Sequence, residues 1–254
     1  MKDIVFCTHV SDHLYNTIGA NKFVKSARFF HPEIDLVVFD NKILIPLMQN
    51  DNRINWNNIH PIVSRTLANQ YKTVIHFDAD SMLTGKLTEL LDAIKQYDVV
   101  GVRNNNDFQK AGKDSPISCH GVPYNKYLNA GLVAVSNPGF YEDWIKLNFE
   151  KSDFLPFGEN DVLNMLIYNS DIYSSFIIDD IDSKVHYGVS GLYGNNTHWD
   201  SWKDITIDNN NLILNNKIVK VLHHAGGFNS NKLNFDMFSN EVKTRLTEIY
   251  ECNN

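Results

Sequence analysis

The run Thr73-Val74-Ile75-His76-Phe77-Asp78-Ala79-Asp80 is a short apolar, partly β-branched stretch that ends in two carboxylates one residue apart. Short apolar runs of this kind read as buried strands, and open α/β sheets gather their ligands beyond the carboxyl ends of such strands. Asp78 and Asp80 therefore stand where a substrate would sit. Paired carboxylate oxygens suit the hard cations Mg2+ and Mn2+, which keep open positions for water and substrate phosphates. An Asp-x-Asp pair also serves as a helix cap or lies in a solvated turn, so the rest of the chain has to decide between these uses.

Working outward, strand and helix patterns alternate. Asp3 to Thr8 reads as a buried strand, Tyr15 to Phe30 as a helix stopped by Pro32, and Leu36 to Phe39 as a second strand. A helix from about His60 to Tyr71, with Pro61 near its start, leads into the strand at Val74 to Phe77. A helix at Leu87 to Tyr97 and a strand at Asp98 to Val102 follow. This alternation predicts crossover connections and a mostly parallel sheet. Between Asn104 and Tyr127 the periodicity is lost, and a loop of that length is more often functional than idle. Order returns with a strand at Leu128 to Val135, helices after Pro138 and from about Glu159 to Tyr168, and a strand at Ser175 to Ile178. A hairpin is expected around Asn209-Asn210-Asn211, then a last strand from Ile218 to His223 and a helix from about Phe235 to Tyr250.

The chain of 254 residues with 43% hydrophobic content can bury a sizeable core, and no internal repeat or linker divides it. A net charge of −7 without a dense Lys/Arg block offers no footprint for nucleic acid or an anionic membrane surface. Any phosphate-bearing substrate then needs a metal or a few local bases. Cys7, Cys119 and Cys252 are an odd number without zinc-like spacing, so neither a disulfide framework nor a structural zinc is indicated. Cys7, within an apolar strand, is expected to be buried and inert. With no apolar leader and no membrane-length run, the expectation is a cytoplasmic protein without an integral membrane segment.

Three more polar clusters interrupt apolar elements. In Asn129-Ala130-Gly131 a glycine admits close backbone approach while an asparagine offers donors and an acceptor, though a bulge or turn uses the same residues. Gly158-Glu159-Asn160-Asp161 opens an amphipathic helix, where acids also act as caps. His223-His224-Ala225-Gly226 ends the last strand with two adjacent imidazoles, and alternation lets only one of them face the carboxylates. Rival chemistries lack their motifs: Gly-x-Gly-x-x-Gly, a Walker-type loop, Gly-x-Ser-x-Gly and His-Glu-x-x-His are all absent.

Taken in order, Phe77-Asp78-Ala79-Asp80, Leu128-Asn129-Ala130-Gly131, Asn160-Asp161-x-Leu163-Asn164 and His223-x-x-Gly226 resemble the retaining glycosyltransferases of family eight, the glycogenin-like and galactosyltransferase-like enzymes. The resemblance covers most of the chain and implies a GT-A fold, an open α/β sheet binding a nucleotide-diphospho-sugar with Mn2+ or Mg2+. It implies one domain over residues 1–254, with a nucleotide-binding half at 1–102 and an acceptor-binding half at 103–254 that carries the late metal-ligand strand. By the same resemblance Asp78, Asp80 and His223 hold the metal. Thr8, His9 and Tyr15 line the nucleoside pocket, and Arg65, Ala79, Asn129, Ala130, Gly131, Gly226 and Lys232 contact the donor. Glu159, Asn160 and Asp161 lie at the transferred sugar. The donor implied is a UDP-sugar, the acceptor a glycan or glycoprotein, and the assembly extends to a homodimer.

Two positions depart from the family pattern. Gly226 is followed by Gly227-Phe228-Asn229-Ser230-Asn231-Lys232, which displaces the late lysine, and Asn160 stands where glutamine is usual. The irregular stretches from Asn104 to Tyr127 and Val185 to Trp202, the latter rich in aromatic residues, are where an acceptor is expected. Two other functions share parts of this pattern. A sugar-nucleotidyltransferase would carry a basic glycine-rich loop near the N-terminus, where only Gly19 is found between Thr8 and Asn21. A non-catalytic carbohydrate-binding module would not need both aspartates.

Overall fold

The computed structural model describes residues 2–12, 18–56, 58–103, 126–152, 155, 158–180, 182–190, 202–223 and 238–251. Within them the chain builds strands β1 (Lys2–His9), β2 (Asp35–Phe39), β3 (Tyr71–Phe77), β5 (Val99–Arg103), β6 (Leu128–Val135) and β7 (Ser175–Ile177) into one central sheet, in the order β2-β1-β3-β6-β5-β7. All pairings are parallel except those of β6, which runs against both β3 and β5. The mostly parallel sheet expected from the alternation is therefore present. The order 2-1-3 also means that the chain leaves β1 to one side for β2 and returns on the other for β3. That reversal opens a crevice at the carboxyl ends of β1 and β3.

Period-two alternation sorts the sheet residues onto two cores. Val5, Cys7 and Val74 face helices α2 (Asn41–Asn50), α3 (Ile59–Leu67), α5 (Pro138–Lys151) and α6 (Glu159–Asn169) through Leu44, Val63, Trp144 and Leu163. Phe6, Ile75 and Phe77 face the other way, onto Phe23 of α1 (Ile18–Phe30) and Leu90 of α4 (Thr88–Ala93). Cys7 is buried as expected, and burial pushes its thiol up to about 12. Cys119 and Cys252 lie outside the described residues.

Two small sheets flank the large one. Strands β10 (Thr206–Asp208), β11 (Asn211–Leu214), β12 (Lys217–Val219) and β8 (Val185–His186) form one, and β4 (Ser81–Leu83), β13 (Val221–His223) and β9 (Val189–Ser190) the other. The expected hairpin forms, with Asn209 and Asn210 both at positive φ, and Asn215 and Asn216 repeat that geometry before β12. Asparagine is among the few side chains that tolerate paired left-handed residues in a two-residue turn. Helix α7 (Asn240–Glu251) packs Val242, Leu246 and Ile249 against Leu212, Val219 and Leu222.

Several boundaries differ from expectation. The last strand is broken at Lys220, whose N–H bonds to His186 O at 2.7 Å while its carbonyl accepts from Thr84 N at 2.8 Å, so the chain passes there from one small sheet to the other. Helix α2 forms despite Pro46, with the Asp40 side chain accepting from Lys42 N at its start. The helix expected over Leu87 to Tyr97 spans only Thr88–Ala93.

A buried side chain ties the middle of helix α6 to the start of β6. The fully buried Asn164 accepts from Leu128 N at 2.7 Å and donates to Leu128 O at 2.9 Å and Asn160 O at 2.7 Å. Asn164→Ala is expected to cost about 2–4 kcal/mol, because it strips partners from buried backbone groups. Urea denaturation measures this, and a loss under ~1 kcal/mol would show that the joint is not structural.

Candidate metal centre

Asp78 follows β3 directly, its N–H donating to Gly131 O at 2.8 Å and its carbonyl accepting from Ser81 N at 3.0 Å, so Asp78, Ala79 and Asp80 make a tight turn into β4. Strand β4 pairs antiparallel with β13 in a register that sets Ser81 opposite His223. This pairing carries an imidazole from the far end of the chain to the two carboxylates. His223 Nε2 lies 3.3 Å from Asp78 Oδ2 and 3.2 Å from Asp80 Oδ1, and one ligand atom from each residue fits within 4.8 Å of the others. His223 and Asp80 are buried, while Asp78 keeps 37% of its side chain exposed and gives the centre an open side.

The donor set fits a divalent cation. Two carboxylate oxygens and one imidazole nitrogen suit Mg2+ or Mn2+. Asp80 Oδ1 and His223 Nε2 are close, yet neither has a properly directed hydrogen-bond partner, which leaves buried lone pairs for a bound ion. Gly131 makes the room. A Cβ there would stand 2.4 Å from His223 Cε1, 2.7 Å from Asn129 Oδ1 and 2.8 Å from Asp78 Oδ2.

Burial alone would lower the His223 pKa, but the Asp80 and Asp78 carboxylates outweigh it and raise the imidazole to about 10. Burial would likewise raise Asp78, and His223, with His9 and His60 behind it, holds it below the usual carboxylate value. The metal-free protein thus carries the His223 proton at neutral pH. A cation needs that nitrogen free, so uptake is expected to release about one proton per ion at pH 7. Affinity should then climb with pH until about 10. Titration calorimetry in buffers of different ionisation enthalpy reads the proton directly; uptake without proton release would remove His223 from the ligand set.

The other expected site residues divide. Gly131 N donates to Asn129 Oδ1 at 2.7 Å and Ala130 N to Asn160 Oδ1 at 2.8 Å. Asn160 thereby orients the β6 segment beside Asp78. That segment is also where β6 slips against β5, since Gly101 pairs with Val133 but Val102 with Asn129. The bulge reading of Asn129-Ala130-Gly131 is fulfilled, and Gly131 leaves space that the Asp78 and His223 side chains approach. Asp161 is buried and accepts from the Tyr127 hydroxyl at 2.9 Å. Glu159, set at the head of α6 by Gly158 at φ +49°, lies with an oxygen 3.8 Å from His60 Nδ1. Arg65 is not part of the cluster: its guanidinium bonds to Asn69 at 2.7 Å and Glu142 at 2.6 Å. Thr8 Oγ1 is buried without a partner at the end of β1, His9 bonds to His76 at 2.9 Å, and Ala79 packs on Val10 and Ala20. Tyr15, His224, Gly226 and Lys232 lie outside the described residues.

Sequence reasoning missed His60 and His76. Both had a signal. His76 alternates with Val74 and Asp78 on one face of β3, and His60 lies on the α3 stripe with Val63, Ser64 and Leu67.

No protein-family model matches this chain, and no curated protein matches it in sequence. Solved structures do match. The bifunctional glycosyltransferase WbbM in its apo form superposes with a TM-score of 0.60 at 14% identity, over 98% of this chain and 51% of its own. The galactosyltransferase LgtC, in complex with donor and acceptor sugar analogs, superposes at 0.54 and 14% identity, over 97% of this chain and 95% of its own. Mouse xyloside xylosyltransferase 1 gives 0.51 at 10% identity, over 89% and 99%. The fold is the GT-A glycosyltransferase fold. This chain spans about half of WbbM and nearly the whole of LgtC. Within the GT-A fold the Asp78, Asp80 and His223 cluster occupies the crevice at the β1/β3 reversal, where a sheet of this topology takes its ligand.

Proposed function

We propose that this protein is a metal-dependent glycosyltransferase that moves a sugar from a UDP-sugar to a glycan or protein acceptor with retention of configuration. The observation that carries the reading is the convergence of Asp78, Asp80 and His223 beside the gap left by Gly131, on a GT-A fold. Asp78, Asp80 and His223 would hold Mn2+ or Mg2+. When bound, the cation supplies Lewis-acid stabilisation of the negative charge that develops on the departing nucleoside diphosphate.

The chain's own groups do the rest. In an acidic protein Asp78 and Asp80 gather the positive charge that the diphosphate needs. Asn160 and Asn129 hold the β6 backbone against Asp78 through their bonds to Ala130 N and Gly131 N. Burial, reinforced by the Asp78 charge, raises Glu159 well above the ordinary carboxyl value. Its protonated form offers a hydrogen-bond donor on the sugar side of the pocket. Thr8 and His9, at the carboxyl end of β1, border the nucleoside side.

The test is release of UDP from a panel of UDP-sugars, with and without Mn2+ and without added acceptor. Mn2+-dependent release from one sugar supports the reading and names the donor. If no donor is cleaved and calorimetry finds no metal-dependent UDP binding, the reading fails in favour of a non-catalytic module. Release of a sugar 1-phosphate and UTP in the presence of pyrophosphate would instead establish a nucleotidyltransferase.

A further inference from the structure

Strand β4 begins with a hydroxyl to which neither the fold nor the proposed chemistry has given a task. Ser81 follows Asp80 directly, is 1% exposed, and its Oγ has no hydrogen-bond partner among the described residues. Other buried hydroxyls around β4 are satisfied. Ser26 Oγ donates to Phe23 O at 3.0 Å and accepts from Leu83 N at 2.9 Å, and Thr84 Oγ1 donates to Val219 O at 2.7 Å. A buried hydroxyl left in the state of Ser81 costs stability unless something completes it.

Strand register places that hydroxyl. Residues directly opposite each other in an antiparallel pair project to the same face of the sheet. Packing bears this out along β4 and β13: Leu83 and Val221 both enter the core of Phe6 and Phe77, whereas Met82 and Leu222 both enter the core of Leu246. Ser81 and His223 are the next opposed pair, so they share a face, and on it the imidazole meets Asp78 and Asp80. Thr84 and Lys220 stand one step beyond Leu83 and Val221, and Thr84 N donates to Lys220 O at 2.8 Å. Hydrogen-bonded and non-hydrogen-bonded pairs alternate, which makes Ser81 and His223 a non-hydrogen-bonded pair; the Ser81 N–H accordingly turns away, to Asp78 O at 3.0 Å. Side chains come closest in pairs of this type, with Cβ atoms about 5 Å apart.

Ser81 Oγ therefore stands beside His223 in the same condition as Asp80 Oδ1 and His223 Nε2, all three shut off from solvent and without a hydrogen-bond partner. The entrance is elsewhere, past the exposed side of Asp78. A cation coming in by that side meets the three atoms as an inner lining. Neighbouring ligands of an octahedral ion at about 2.1 Å lie about 3 Å apart, and His223 Nε2 is already 3.3 and 3.2 Å from the two carboxylates.

We propose that Ser81 Oγ is a fourth protein ligand of the cation, beside Asp78, Asp80 and His223. The inference rests on the reading of the crevice as a divalent-metal site and deepens it. A hydroxyl is a hard, neutral oxygen, so it suits Mg2+ and Mn2+ and adds no charge to the two carboxylates. Four ligands from the chain leave two of six positions for oxygens of the diphosphate.

The experiment is calorimetric titration of Mn2+, Mg2+ and Cd2+ into the wild type, Ser81→Ala and Ser81→Cys, with thermal unfolding of each protein free of metal. Metal-free Ser81→Ala is expected to unfold at the same temperature as the wild type or higher, because it loses an unsatisfied buried hydroxyl. It should nevertheless bind Mn2+ and Mg2+ about tenfold more weakly. Ser81→Cys sets a soft sulfur in the same place, so the ratio of Cd2+ to Mg2+ affinity should rise at least about tenfold over the wild type. A hydroxyl that only packs beside the site would not exchange one metal preference for another. Wild-type Mn2+ affinity in Ser81→Ala, which does not depend on the cysteine variant folding, or an unchanged ratio in a folded Ser81→Cys, would overturn the proposal. Absence of Mn2+ and Mg2+ binding in the wild type would overturn the metal centre itself.

Discussion

Gly131→Ala is expected to leave a folded protein that no longer holds its cation. The new methyl carbon would stand 2.4 Å from His223 Cε1, 2.7 Å from Asn129 Oδ1 and 2.8 Å from Asp78 Oδ2. None of the three can move freely. His223 is held in β13 by its pairing with β4, Asn129 is tied to Gly131 N, and Asp78 donates its own N–H to Gly131 O. Whichever yields, two metal ligands part or their support breaks. Overpacking of this kind costs about 1–3 kcal/mol of stability, whereas displacement of the ligands should cost at least about a hundredfold in metal affinity and metal-dependent turnover. Calorimetric Mn2+ titration of the variant, with circular dichroism to establish folding, decides the matter. Wild-type affinity would mean that the cation is held elsewhere.

Replacing Asp78 and Asp80 together by asparagine should abolish metal-dependent donor cleavage, by about a thousandfold or more, because both anionic ligands are lost. The fold should survive. The substitutions preserve shape, and they relieve a cluster in which a buried carboxylate and a buried imidazole face each other without well-directed hydrogen bonds. Without the carboxylates, burial acts on His223 unopposed, so its pKa should fall from the raised value near 10 to below 6.5. Histidine NMR titration of the double variant reports that change independently of turnover. Normal turnover by the variant would refute the metal assignment.

Much of the α/β alternation could be read because each element carries its own signal. Apolar runs with carboxyl-terminal acids, Pro61 near a helix start and the Asn209-Asn210 turn are local patterns, and each formed where the sequence placed it. What failed was also local in cause. The break at Lys220 was invisible because alternation continues through it, and only pairing with two different sheets separates β12 from β13. Helix α2 was hidden by Pro46, whose usual disfavour inside a helix is overridden by packing of Leu44 into the core.

The roles of neighbouring polar residues could not be divided from sequence. Glu159, Asn160 and Asp161 are consecutive, yet a helix turns each about 100° from the last, so one meets His60, one the β6 backbone and one Tyr127. The resemblance placed Arg65 at the donor. On the same helix His60 is turned inward, and Arg65 pairs with Glu142.

By itself, then, the sequence determined the fold class, the strand that ends in Asp78 and Asp80, and a carboxylate pair of the kind that suits a hard cation, because these depend on periodicity and side-chain type within a few residues. The tertiary structure alone decided that His223 reaches the aspartates through β13–β4 pairing, that Gly131 supplies the space between them, and that His60 lies behind them. Those relations join residues far apart in the chain, and they exist only once strand register and helix rotation are set by burial of the shared core.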